Sequence, residues 1–168
     1  MNLLLHHIKR LRLLSVLAIL GRRLKYVPYL PIVVDELIKV YVFIFCPLKF
    51  KTMLNFIEII HTDLKAGTNY HRFGGIEFRW SNKEIAHMHS NGLLDIHFPK
   101  RISRHLINQN FCEDHHVFPG SGWTSYFLKD NTDLKIPLKL ITWSKELKSH
   151  SKTIDQIEEE IKLTNLES

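Results

Sequence analysis

The sequence has little cysteine. Cys46 and Cys112 are the only two in 168 residues. Two thiols exclude a disulfide scaffold and a four-cysteine zinc site. No run of 18 apolar residues occurs, which argues against a standard membrane-spanning helix. Internal repeats and low-complexity segments are absent too. Hydrophobic and charged contents of 45% and 24% are ordinary for a globular protein, so a disordered chain or a coiled-coil rod is excluded. The chain length allows one domain with appendages.

Acid is missing from one place in particular. Residues 1–25 carry Lys9, Arg10, Arg12, Arg22, Arg23 and Lys25 and no carboxylate. These six bases account for the whole net charge of +6, and the rest of the chain is balanced. The basic pI therefore describes a basic leader on a neutral body, and no nucleic-acid partner is expected. The bases flank an apolar octet, Leu13–Leu20, which as a helix spans about 12 Å, short of a ~30 Å hydrocarbon core. No small-residue cleavage site follows it. A second apolar stretch, Val40–Leu48, follows Asp35, Glu36 and Lys39, charges that disfavour crossing a bilayer. Residues 1–48 are expected to contact a membrane surface, with a helix packed on the body as the alternative. The few cysteines favour the cytoplasmic side.

The body reads as α+β. It is a single small domain with an antiparallel sheet packed by helices, after an N-terminal helical segment. Residues 1–49 form that segment, 50–148 the domain, and 149–168 a charged tail that reads as a weakly held helix. Helices are expected over 51–66, 101–109 and 133–148, the last with Leu134, Leu138, Ile141 and Leu147 inward. Strands are expected over 75–80 and 123–128, and a hairpin over 84–98.

Eleven histidines are the abundance that stands out. The hairpin register decides what they face. With a two-residue loop at Asn91-Gly92, each face mixes histidine with aliphatic residues. A three-residue loop, Ser90-Asn91-Gly92, pairs His87 with Asp95 and separates the faces. Ile85, His87, His89, Leu93, Asp95 and His97 then share one face. Ala86, Met88, Leu94, Ile96 and Phe98 share the other, and Glu84 is left off the histidine face. We take this register. His-x-His on a strand sets both imidazoles on one side, about 6.5–7 Å apart. That suits two ligands of one metal, or a base beside a second polar group. His115 and His116 are adjacent, so one of them at most is expected to face the site. Trp123 and Phe78 read first as core residues, and Trp123 second as a substrate platform. Ser121 sits between glycines but lacks the strand–turn–helix setting of a nucleophile elbow.

Four segments together resemble the luciferase domain family, small proteins that include the fungal luciferases. They are His71-Arg72-Phe73-Gly74-Gly75-Ile76-Glu77-Phe78-Arg79; Glu84-Ile85-Ala86-His87-Met88-His89; Gly92-Leu93-Leu94-Asp95-Ile96 with Phe98-Pro99; and His115-His116 with Pro119 and Ser121-Gly122-Trp123. The resemblance covers about residues 50–148. It implies an O2-dependent oxidative enzyme acting on a small enolic or aromatic, hydroxypyrone-like molecule, with O2 as co-substrate and no cofactor required. His87 or His89 would be the base and Asp95 would fix its tautomer. His97 and His116 would donate to an enolate or peroxide oxygen. His71, Arg72, His115, Ser121 and Trp123 would line the substrate. The Gly92–Asp95 segment and the Pro119–Trp123 loop resemble the non-luminous members, so light emission is not the default. The alternatives are a zinc or iron site built on His87, His89 and His116, and a non-enzymatic small-ligand or partner-binding module.

Overall fold

The computed structural model describes residues 29–129 and 134–166. The basic leader and the apolar octet lie outside the described residues. Helix α1 (Leu30–Phe45) is followed directly by α2 (Pro47–Thr62). Pro47 lacks an N–H and cannot continue α1, so the apolar run 40–48 breaks there and Pro47 opens the next helix. Helix α2 therefore starts earlier than the 51–66 reading. It also ends earlier, at Thr62, because Lys65 turns left-handed (φ 51°) and Gly67 opens a strand.

Six strands form one antiparallel sheet in the order β1-β2-β3-β4-β6-β5. They are β1 (Gly67–Tyr70), β2 (Ile76–Trp80), β3 (Lys83–Met88), β4 (Leu93–His97), β5 (Glu113–Asp114) and β6 (Trp123–Phe127). Helix α3 (Lys100–Asn108) links β4 to β5; α4 (Lys135–Ser149) and α5 (Ile154–Leu166) close the chain. The edge strands β1 and β5 were not anticipated. Their residues are all exposed, so no apolar alternation marks them.

The hairpin has the three-residue loop. The His89 N–H donates to Leu93 O at 2.8 Å, and the Gly92 N–H to His89 O at 2.9 Å. Gly92 is left-handed at φ 82°, and His87 pairs with Asp95. Ala86, Met88, Leu94, Ile96 and Phe98 are all buried in the core.

One detail of the expected face is corrected. Phe78 pairs with Ala86 but Arg79 with Glu84, so Ile85 is an extra residue in β3. This bulge turns Ile85 into the core and brings Glu84 round to the histidines.

The helices join the same core through Met53, Phe56 and Ile60 of α2, Ile102 and Leu106 of α3, and Leu140, Ile141 and Trp143 of α4. The buried stripe of α4 is thus rotated from the expected one, with Leu134, Leu138 and Leu147 only partly buried. The tail is not weakly held. Ile157 and Ile161 of α5 are fully buried, and Glu160 accepts from Trp143 Nε1 at 2.9 Å. Helix α1 inverts the usual pattern: Asp35 and Val42 are buried, while Val33, Leu37, Val40, Tyr41 and Ile44 are exposed.

Candidate active site

Register builds the site. Glu77, His87, Asp95 and Ser125 lie side by side across β2, β3, β4 and β6. Asp95 at the centre has no exposed surface. Ser125 Oγ donates to its Oδ1. Its Oδ2 lies 3.4 Å from His87 Nε2, 3.5 Å from His89 Nε2 and 3.6 Å from His115 Nε2. None of the three is a hydrogen bond, and Oδ2 has no hydrogen-bond partner.

Each histidine is held from behind. His87 Nδ1 donates to Glu84 Oε1 at 2.7 Å. His89 Nδ1 lies 3.8 Å from Asp35 Oδ1. Asp35 reaches in from α1 and accepts from both the N–H (3.0 Å) and the Oγ (2.5 Å) of Ser90. His115 Nδ1 accepts the backbone N–H groups of Val117 and Phe118, each at 3.1 Å. In neutral His115 the ring proton is therefore on Nε2, aimed at Asp95. His71 comes from the β1–β2 loop and stacks on His87, with ring centroids 3.9 Å apart. That loop needs its glycines: a Cβ on Gly75 (φ 81°) would lie 2.2 Å from Met88 O.

Burial opposes every charge here, and partners decide which side wins. Burial alone would raise Asp95, but His87, His89 and Ser125 hold its carboxyl far below the usual range. Burial would lower His89, yet Asp35 and Asp95 lift it to about 9. His87 is raised against its burial by Asp95 and Glu84. Burial lowers His71 to about 4, with His87 adding to the effect. It also lowers His115 and His116, with Asp95 offsetting part of the shift.

The structure brings His71, His87, His89, Asp95, His115 and His116 together. Both members of the His115-His116 pair face Asp95, contrary to expectation. The backbone bends after β5, so their rings stack at 4.8 Å instead of diverging as on a strand. Trp123 is half-buried on the site face, 5.1 Å from both His87 and His97, whereas Phe78 is core. His97 packs edge-on against Trp123 and is not among the groups near Asp95. Arg72 lies over the Phe73 ring, and Ser121 Oγ donates to Phe118 O at 2.6 Å, a loop-shaping bond. Glu84 and Asp35 were missed. Glu84 depends on the bulge. Asp35 had one weak signal, a charged patch with Glu36 and Lys39 within a mostly apolar helix.

Residues 82–144 match the family model described as the luciferase domain. Over these residues the chain is similar to the luciferase domain. The match is narrower than the 50–148 span of the resemblance. It includes His87, His89, Asp95, His115 and His116 but not His71 or Asp35. Neither the curated proteins nor the solved structures contain a match.

Proposed function

We propose that this luciferase-like domain is an O2-dependent oxidative enzyme acting on a small enolic or aromatic, hydroxypyrone-like substrate. The observation that carries the reading is Asp95, a fully buried carboxylate ringed by three imidazole Nε2 atoms within 3.6 Å. An enol that loses its proton becomes an electron-rich anion able to react with O2, and nearby N–H donors stabilise its oxygen. The half-buried Trp123 and the exposed His116 have flat rings suited to a planar molecule.

Geometry refines the assignment of roles. His87 and His89 point Nδ1 at carboxylates and Nε2 at Asp95, so neither presents a free nitrogen outward. His116 is exposed beside His115 and is the better placed base. The test is O2 uptake and light emission by the purified full chain offered hydroxypyrones, with Asp95→Asn alongside. Uptake lost in the variant supports the reading. A folded chain that consumes no O2 with any of them sinks it.

Membrane-surface contact through residues 1–48 is part of the same proposal. No described helix is long and apolar enough to cross a membrane. The exposed residues Val33, Leu37, Val40, Tyr41 and Ile44 of α1 recur at helical spacing and face away from the core, and Leu48 of α2 is exposed too. The six bases of residues 1–25 precede them in the chain.

A further inference from the structure

The geometry points to a divalent transition-metal site whose ligands are His87 Nε2, His89 Nε2 and Asp95 Oδ2. Three independent features support it. The first is distance. Metal–ligand bonds of about 2.1 Å at tetrahedral angles place neighbouring donor atoms about 3.4 Å apart. The Oδ2 atom lies 3.4 and 3.5 Å from the two Nε2 atoms, too far for good hydrogen bonds and right for ligands of one ion. The second is the carboxylate. Asp95 is fully buried, Ser125 occupies Oδ1, and Oδ2 is left without a hydrogen-bond partner and aimed between the imidazoles.

The third is the surrounding shell. Metal-bound histidines usually give their second ring nitrogen to a carboxylate or carbonyl, which fixes the ring and raises its basicity. His87 Nδ1 donates to Glu84, and Asp35 stands 3.8 Å from His89 Nδ1. Both carboxylates come from places the hairpin pattern does not predict, a β-bulge and a separate helix.

His115 is not a ligand, although its Nε2 is 3.6 Å from Oδ2. Two backbone N–H groups occupy its Nδ1, so Nε2 carries the proton and donates. The protein thus supplies three donors, and His116 is the exposed imidazole beside them. Two histidines and one carboxylate are a donor set that zinc takes at this tetrahedral spacing; the same residue types are those of non-haem iron(II) oxygenases, where the donors would draw in to about 3.0 Å. The site stands independently of the proposed oxidation. Only the choice of iron over zinc rests on that reading.

The test is metal binding by the full chain, purified without chelator and then loaded in separate arms with iron(II) under argon, zinc(II) and cobalt(II). We expect about one ion per chain and visible ligand-field bands from the cobalt form. His87→Ala/His89→Ala and Asp95→Asn should lose the ion while unfolding cooperatively, and His97→Ala should keep it. Should the site variants not fold, X-ray absorption of the cobalt form of the unaltered chain decides, with two imidazoles expected. A folded chain that takes up no ion in any arm, an ion retained by the double variant, or a cobalt shell without imidazole overturns the site. A bound ion without O2 uptake overturns the proposed function instead. O2 uptake by demonstrably metal-free protein leaves the function and removes metal from it.

Discussion

Glu84 Oε1 lies 2.7 Å from His87 Nδ1 because of a single extra residue in β3. Without the bulge at Ile85, strict alternation would send Glu84 away from the histidines. The carboxylate fixes the imidazole through Nδ1 and leaves Nε2 for Asp95. Glu84→Gln keeps the size and can accept the same bond, but loses the charge. It should weaken metal affinity ~10–100-fold with little change in thermal stability. Competition of zinc(II) against a chromophoric chelator measures it, and unchanged affinity would remove Glu84 from the supporting shell.

Asp35 links α1 to this cluster. It is buried and holds both the N–H and the hydroxyl of Ser90, the residue after His89. Gly74 packs so closely that a Cβ there would lie 2.4 Å from Asp35 Cβ. Asp35→Ala leaves the Ser90 N–H buried without a partner, a loss of about 1–3 kcal/mol. Asp35→Asn retains an acceptor for Ser90, so it should be milder for folding yet still impair the site. Chemical denaturation and O2 uptake, measured on both variants, separate the two effects. Equal losses in both assays for both variants would reduce Asp35 to a purely structural role.

Periodic features were legible from the sequence and context-dependent ones were not. The hairpin register followed from separating Met88, Leu94 and Ile96 from His87 and Asp95, because burial penalises the other register at every position. The bulge carries no such signature. Ile85 and Glu84 are adjacent, and only their neighbours reveal which of them faces the core. The stacked His115-His116 pair depends on a bend held by Asp114, which accepts from the His115 and Gly120 N–H groups. Asp35 acts on residues more than fifty positions away, and no local pattern encodes that contact.

The burial of the tail has a related cause. Ile157 and Ile161 are an i,i+4 pair among charges, a weak stripe that becomes core only because α3 packs against α5. Ile157→Ala and Ile161→Ala should each destabilise by about 2–5 kcal/mol, measured by urea unfolding. Losses below half of that range in both would mean that α5 contributes little to the domain.

The two thiols should behave differently. Burial pushes Cys112 up to about 12, and it is closed off in the core. At pH 8 only about one Cys112 in ten thousand is thiolate, so disulfide reagents should reach it only after unfolding. Cys46, half-buried at the α1–α2 junction, should react in the native protein. One fast equivalent and a second released by urea is the expected titration. Two fast equivalents would place Cys112 at the surface.

The exposed face of α1 predicts a membrane preference that can be separated from folding. Leu37 and Ile44 are 65% and 57% exposed, so replacing them by glutamate removes no core contact. On an anionic surface the same changes remove two buried apolar anchors and add two repelled charges. Each basic residue near such a surface contributes about 1 kcal/mol, screened by salt. Leu37→Glu/Ile44→Glu should therefore abolish co-flotation with vesicles containing phosphatidylserine while leaving the urea midpoint unchanged. Raising salt should weaken, but not eliminate, binding of the unaltered chain, because apolar insertion is insensitive to screening. Binding that salt removes completely and the double variant retains would make the contact purely electrostatic. The apolar face of α1 would then have no part in it.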